Sequence, residues 1–253
     1  MLLTNDDGYA AEGIQELFST LSESYIAHII APEKEQSGKS HSFTYREGVA
    51  YTTTDAGYIV QGTPADCVKI GLATLLDEPP DLVISGINHG SNLGIAGFYS
   101  GTVGAAREGV FWRIPAIAIS APSKGAASMK SLAKRAHQLI MTLDAQGLLR
   151  PRSRHLYNIN FPSAKTDQNQ WKFCRQSLAY YNDSYETKDH MGVPLHFVTG
   201  KMVEIEEDIS YDIRANACGY TTVTPLTIDA TCMDTINATA TINLHNSFDK
   251  ETT

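Results

Sequence analysis

Cysteine is scarce and scattered. The 253 residues hold four, Cys67, Cys174, Cys218 and Cys232, with no CxxC pair among them. Neither a zinc site nor a compact disulfide framework is suggested, and reduced, mostly packed thiols are the expectation. Long apolar runs are missing: no stretch approaches the ~18 residues a membrane span needs, and no basic–apolar–small leader opens the chain. The expected setting is therefore cytoplasmic, with no membrane partner. Positive charge is in deficit. The 20 Lys and Arg face 28 Asp and Glu, a formal net charge of −8, which argues against a nucleic-acid polymer as the main partner. A small anion stays open, because a metal ion and backbone N–H groups bind one without Lys or Arg.

Several functional signatures are missing as well. Gly38-Lys39-Ser40 imitates the end of a P-loop, but the first glycine of that motif would fall at position 33, which is Glu33. The dinucleotide fingerprint GxGxxG would have to follow the first strand directly, and NDDGYAAEG is not that. Asp6-Asp7-Gly8 lacks the spaced acids of an EF-hand loop. No Gly-x-Ser-x-Gly elbow offers a serine nucleophile, and Cys67, inside a helical pattern, has no evident His partner.

What is present is an ordinary globular composition, 42% hydrophobic and 19% charged, in which short apolar runs alternate with helical patterns. Strands are expected over residues 1–4, 25–31, 81–85, 115–120 and 155–161, and a hairpin over 49–54 and 58–61. Helices are expected over 13–22, 63–76, 102–112 and 128–143. Thr63 reads as an N-cap with Pro64 at the first helical position and Asp66 in the first turn. This alternation implies an α/β fold: a mainly parallel, Rossmann-like sheet with helices on both faces. Residues 1–162 read as that core. Residues 163–253 read as a C-terminal extension with β arms and a tail, in which 171–203 is aromatic and irregular. Residues 219–226 look β-rich, Pro225 suits an edge or a strand end, and 227–253 has weak helical periodicity.

In an open parallel sheet, ligands sit beyond the carboxyl ends of the strands. There the chain places Asp6 and Asp7 after the first strand, Ser37 after the second, Asn88 and Asn92 after residues 81–85, and Ser100-Gly101-Thr102 opening a helix. In isolation Asn5-Asp6-Asp7-Gly8 is a plain turn, and Ser100 a plain helix cap. Together they are more. Two carboxylates with hydroxyl and amide oxygens form a hard donor set suited to Mg²⁺ or Mn²⁺, and a cation would offset the repulsion of the adjacent acids. The Ser100-Gly101-Thr102 start offers free N–H groups, two hydroxyls and a glycine for close approach of a phosphate. Single histidines weigh little: His41 and His89 fall in loops near the rim, while His137 in a helix and His155 in a strand read as structural.

At this point the motifs resemble a known family. TNDDGY-x-x-x-GI at 4–14, AP-x-x-x-x-SG at 31–38, GTPADCV at 62–68, SGIN-x-G at 85–90 and YSGTV at 99–103 are together similar to the SurE family of stationary-phase survival proteins. NINFP at 158–162, Arg175-Gln176, Asp212, Gly219-Tyr220 and Thr224-Pro225 extend the match to about residue 226. The resemblance implies a metal-dependent nucleotidase acting on nucleoside 5′- or 3′-monophosphates, sometimes on short-chain polyphosphate. It implies one divalent cation held by Asp6, Asp7, Ser37 and Asn88, and phosphate at Asn92, Ser100, Gly101 and Thr102. It further implies a C-terminal arm exchanged between subunits of a homodimer, often within a homotetramer. Three departures stand out: Gln36 where many members carry Arg, Glu33 in place of a common Asp, and a first strand one or two residues short. The expected chemistry is metal-assisted attack of water on a phosphate monoester, with Asp6 and Asp7 as the catalytic carboxylates. A non-catalytic nucleotide sensor using the same site is the rival, and an interaction protein using residues 171–185 as an arm is a third.

Overall fold

The computed structural model of the chain describes residues 1–203 and 205–239. In chain order the elements are β1 (Leu2–Thr4), α1 (Glu12–Leu21), β2 (His28–Pro32), β3 (Tyr51–Thr54), β4 (Gly57–Val60), α2 (Pro64–Ile70), β5 (Val83–His89), α3 (Ala96–Tyr99), α4 (Gly101–Phe111), β6 (Ala116–Ala121), α5 (Met129–Ala145) and β7 (His155–Asn160). Then follow β8 (Gln170–Phe173), β9 (Tyr180–Asn182), β10 (Tyr185–His190), β11 (Val193–Val198), β12 (Lys201–Val203), α6 (Asp212–Ala217), β13 (Tyr220–Thr227) and α7 (Met233–Thr239).

Successive residues of a strand point to opposite faces, and here both faces are apolar, so helices must cover both. Leu3, Ile29, Ile84 and Ile117 pack in one cluster with Ile14 and Leu17 of α1 and Leu132, Ala136 and Ile140 of α5. Their neighbours Leu2, Ile30, Val83 and Ala116 pack in the other, with Cys67 and Val68 of α2 and Val103 and Val110 of α4. The sheet runs β3-β4-β2-β1-β5-β6-β7-β13-β8. Strands β4, β2, β1, β5, β6 and β7 are mutually parallel, while β3 joins β4 and β13 joins β7 in antiparallel pairs. The chain leaves β1 for β2 on one side and later returns as β5 on the other. That reversal opens a crevice beyond the carboxyl ends of β1 and β5.

The expected elements are present, with informative shifts. The helix expected over 63–76 is α-helical only to Ile70, and Gly71–Leu75 forms a wider π-helical turn. A side chain on Gly71 would meet Ile30 Cδ1 at 2.7 Å and Leu2 Cδ1 at 2.9 Å, so this turn lies hard against the sheet. The strand expected over 81–85 continues to His89, and its pairing with β6 shifts register between Ser85 and Asn88. Asn88 is thus carried on a strand end rather than in a loop. The C-terminal third sends β8 and β13 into the main sheet. Pro225 pairs toward Tyr157 of β7, beyond the residues at which β13 meets β8, where a missing N–H leaves no gap. The tail expected over 227–253 contains α7, and its residues 240–253 lie outside the described residues. All four cysteines are free; burial holds the Cys67 thiol well above the usual range and pushes Cys174 up to about 11. Among the described residues no helix is long and apolar enough to cross a membrane.

Two local devices fix the segment after β2. The first is the α2 capping box: Thr63 Oγ1 accepts from Asp66 N at 3.1 Å and Asp66 Oδ2 accepts from Thr63 N at 2.9 Å. The same carboxylate accepts from Thr44 N at 2.8 Å and Thr44 Oγ1 at 2.7 Å. The second is Glu108 of α4, buried, which meets His41 Nε2 at 2.9 Å, Lys69 Nζ at 3.1 Å and Trp112 Nε1 at 2.9 Å. His41 also stacks on Phe111, with ring centroids 5.1 Å apart. Burial opposes the Glu108 charge, but the His41, Lys69 and Trp112 hydrogen bonds outweigh it and hold the carboxyl below its ordinary value. Such a group stabilises the fold above the ordinary carboxylate range, and the contribution is lost as pH falls through its lowered value. Glu108→Gln is expected to cost about 1–2 kcal/mol at pH 7, the low end because Lys69 is partly solvated. Urea unfolding checks this: the penalty should shrink as pH falls below about 4, and one that is equal at both pH values would contradict the assignment.

Candidate active site

The opening quartet is a turn, and the turn aims both acids. Asn5 Nδ2 donates to Gly8 O at 2.8 Å, Gly8 adopts φ +100°, and Tyr9 N donates to Pro32 O at 2.7 Å. Asp6 leaves the end of β1 buried. Its carboxylate accepts from Thr102 N at 3.2 Å and from the Thr102 hydroxyl in a short bond. Its own carbonyl accepts from Gln36 N at 2.7 Å, which ties the β1 turn to the segment after β2. Asp7 is half-buried, and its Oδ2 accepts from His89 N at 2.9 Å.

Both acids carry raised pKa values. For Asp6, burial is the main cause and the Asp7 charge adds to it, against the Thr102 hydrogen bonds. For Asp7, burial again leads and Glu35 adds to it, against the His89 N–H. Two carboxylates that both resist ionisation, side by side, form a place where positive charge is wanted.

The remaining candidates arrive from three directions. Ser37 is exposed and donates to Glu35 Oε1 at 2.7 Å. Asn88 spends its Nδ2 on Gly90 O at 2.6 Å, which leaves its side-chain oxygen as the free end. Asn92 is buried and pinned in place: its N–H donates to Asn160 Oδ1 at 2.7 Å, its Nδ2 to Ser120 Oγ at 2.9 Å, and its carbonyl accepts from Asn158 Nδ2 at 2.7 Å. Nearby, Gly94 N donates to Asp212 Oδ2 at 2.9 Å, and Ser177 N to the other oxygen of Asp212 at 2.9 Å, so α6 anchors the same loop.

Ser100 caps α4 by accepting from Val103 N at 3.1 Å, and its hydroxyl proton remains for another acceptor. The first-turn N–H groups at Gly101 and Thr102 have no carbonyl within their own helix. A side chain at Gly101 would stand 3.1 Å from Asp6 Cβ and Oδ2 and 3.2 Å from Pro64, so glycine lets α4 start against the acid. At Gly104 a side chain would fall 2.3 Å from the Ser40 carbonyl, so glycine also lets the loop after Ser37 lie on α4.

Asp6, Ser37, Asn88, Asn92 and Ser100 all line one cavity of about 320 Å³, together with His89, Tyr99 and Tyr181. Asp7, Gly101 and Thr102 do not line it. Asp7 borders it through His89, and Thr102 reaches it through Asp6. Among the described residues no cluster of three or more His, Cys, Asp or Glu that could hold a metal gathers anywhere. The donor set here has a different make-up: two carboxylates plus the Ser37 and Asn88 oxygens, all hard ligands, which fits Mg²⁺ or Mn²⁺.

Sequence reasoning passed over Glu35, Tyr181 and the Asn158–Asn160–Ser120 layer. The asparagines carried a readable signal, since polar residues two apart in an otherwise apolar strand must share a buried face. Tyr181 lies far along the chain in a segment with no periodic pattern, and only the fold brings it here.

Fold and cavity together define a class: an α/β protein whose parallel sheet gathers acids, hydroxyls and a helix start into a ligand site at its switch point. Within that class the chain belongs to the SurE family, whose profile, described as Survival protein SurE, matches residues 1–183. Among curated relatives, the 5′-nucleotidase SurE of Thermosipho africanus is 40% identical over 235 residues, covering 90% of this chain and 91% of its own. That of Albidiferax ferrireducens is 35% identical over 239 residues, covering 93% and 94%. Among solved structures, the SurE protein from Aquifex aeolicus superposes with a TM-score of 0.81 at 33% identity, covering 94% of this chain and 96% of that one.

Proposed function

We propose that this chain is a divalent-metal-dependent 5′-nucleotidase, hydrolysing nucleoside monophosphates to nucleoside and inorganic phosphate. The observation that carries the reading is the convergence of Asp6, Ser37, Asn88, Asn92 and Ser100 on one cavity, beside a helix start. The names of the relatives from Thermosipho africanus and Albidiferax ferrireducens support it. Asp6, Asp7, Ser37 and Asn88 would hold one Mn²⁺ or Mg²⁺ per subunit, which when bound supplies Lewis-acid polarisation of a phosphoryl oxygen and acidification of water.

The chain's own residues do the rest. Asn92 and the Ser100 hydroxyl, with the N–H of Gly101, receive the phosphoryl oxygens where negative charge accumulates, while Thr102, assigned to the phosphate by the family resemblance, spends its donors on Asp6. Thr102 and the Gln36 N–H hold Asp6 in place. Asp7, with one oxygen engaged by the His89 N–H, has the other to orient the attacking water. The water oxygen bonds to phosphorus, the ester P–O bond breaks, and the proton lost by the water passes to the departing nucleoside oxygen, which leaves as a hydroxyl. A phospho-aspartate route is less favoured, because a carboxylate engaged by a cation is a poor nucleophile. Activity on 3′-monophosphates and short polyphosphate belongs to the same proposal, since neither changes the phosphoryl end of the site. The rival, a sensor that binds without turnover, predicts no phosphate release.

The test is phosphate release from a nucleoside monophosphate panel with and without Mn²⁺. The expected result is metal-dependent turnover that Asp6→Ala abolishes, a loss of at least about 10³-fold, while the variant stays folded by circular dichroism. No release by the folded wild-type chain would sink the enzyme reading, and a fully active Asp6→Ala would sink the residue assignment.

The assembly proposed is a homodimer or homotetramer built through the C-terminal arm. Every residue of the β10–β11 hairpin is exposed, including Tyr185, Val193, Leu195, Phe197 and Val198. An apolar strand pair left in water favours a protein partner. Sedimentation of the full chain should give a dimer or tetramer that Phe197→Asp weakens; a wild-type monomer at micromolar concentration would refute this.

A further inference from the structure

We infer that Tyr181, with Tyr99, forms an aromatic platform for the nucleobase, so that the site distinguishes nucleotides from phosphate esters that carry no base. This rests on the nucleotide reading above and specifies which end of the substrate each part of the cavity meets. The floor of the cavity is polar: Asp6, Ser37, Asn88, Asn92 and Ser100. Two tyrosines also line it, beside His89 and small residues, and both are left in water, Tyr99 at 63% and Tyr181 at 39% exposure. Among the described residues, neither ring stacks on another aromatic ring and neither hydroxyl has a hydrogen-bond partner. Core packing therefore does not explain either side chain.

Their positions suit the role. Tyr99 ends α3 and directly precedes the helix cap Ser100, and its carbonyl accepts from Ser40 N at 3.0 Å, so its backbone is fixed beside the phosphate end. Tyr181 comes from a different part of the chain. It lies on β9 and pairs with Met202 of β12 at the root of the arm. A ligand whose phosphate sits on the polar floor must extend its remaining part past the rim. There an apolar ring face is available, and each nucleobase has a π-face to match. Stacking of this kind tolerates every base, so the platform predicts broad base selectivity rather than a single preferred nucleotide.

Adenosine 5′-monophosphate and ribose 5-phosphate separate the two ends, because they share the phosphate and the sugar and differ in the base. KM with Mn²⁺ is measured for both, alongside dissociation constants by calorimetry without added metal, for wild type, Tyr181→Ala and Tyr181→Phe. The expected result is a rise of about tenfold in KM and Kd for the nucleotide in Tyr181→Ala, with kcat nearly unchanged. Tyr181→Phe should keep the wild-type values, and ribose 5-phosphate should shift less than about twofold. Equal shifts for both ligands, no shift for either, or wild type binding ribose 5-phosphate as tightly as the nucleotide would overturn the inference. Base-dependent binding without turnover would sustain the platform while sinking the nucleotidase reading.

Discussion

Two carboxylates at the buried carboxyl end of β1 set the constraint to which the surrounding structure answers. Asp6 is adjacent to a second acid and largely withdrawn from water, and burial and the neighbouring carboxylate both oppose its ionisation. The neighbourhood is built to tolerate it. Helix α4 begins against the carboxylate and offers it a backbone N–H and the Thr102 hydroxyl, and this approach depends on glycine at position 101. Because the N-terminus of a helix carries partial positive charge, the same end that steadies Asp6 also suits a phosphate. One feature of the fold thus serves both halves of the proposed chemistry, holding the acid and receiving the anion.

The loops that complete the site are held by anchors outside it. Glu108 gathers His41, Lys69 and Trp112, which keeps the segment after Ser37 on α4. Asn158, Asn160 and Ser120 grip Asn92 from beneath, while Asp212 clasps Gly94 and Ser177 together. Gln36 serves Asp6 through its backbone N–H, a donor that any residue but proline supplies, so that contact does not depend on the side chain at this position.

Much of this was legible in the sequence, for identifiable reasons. Apolar runs between helical patterns dictate a helix-covered parallel sheet, and the rule that ligands sit beyond strand carboxyl ends groups Asp6, Asp7, Ser37, Asn88, Asn92, Ser100, Gly101 and Thr102, of which Asp7, Gly101 and Thr102 stand behind the cavity wall rather than on it. The capping box at Thr63 was readable from three residues. Less legible were features that depend on tertiary contact. The π-helical turn at Gly71–Leu75 begins at a glycine packed so closely on Leu2 and Ile30 that no side chain fits, a tertiary contact that no local pattern records. Strand β5 runs on through Gly86, a residue that propensity alone assigns to a loop. Tyr181 reaches the cavity only because the arm root folds back over it. Thr102, expected at the phosphate, directs its donors to Asp6, a pairing between residues 96 apart in sequence.

In the proposed site β1, the segment after β2 and the end of β5 hold a single cation, and anomalous scattering from crystals grown with Mn²⁺ shows whether they do. One peak per chain is expected, ligated by Asp6, Asp7, Ser37 and Asn88 and missing from crystals of the Asp6→Ala variant. A peak ligated by other residues, or one that persists at the same place in that variant, would contradict it.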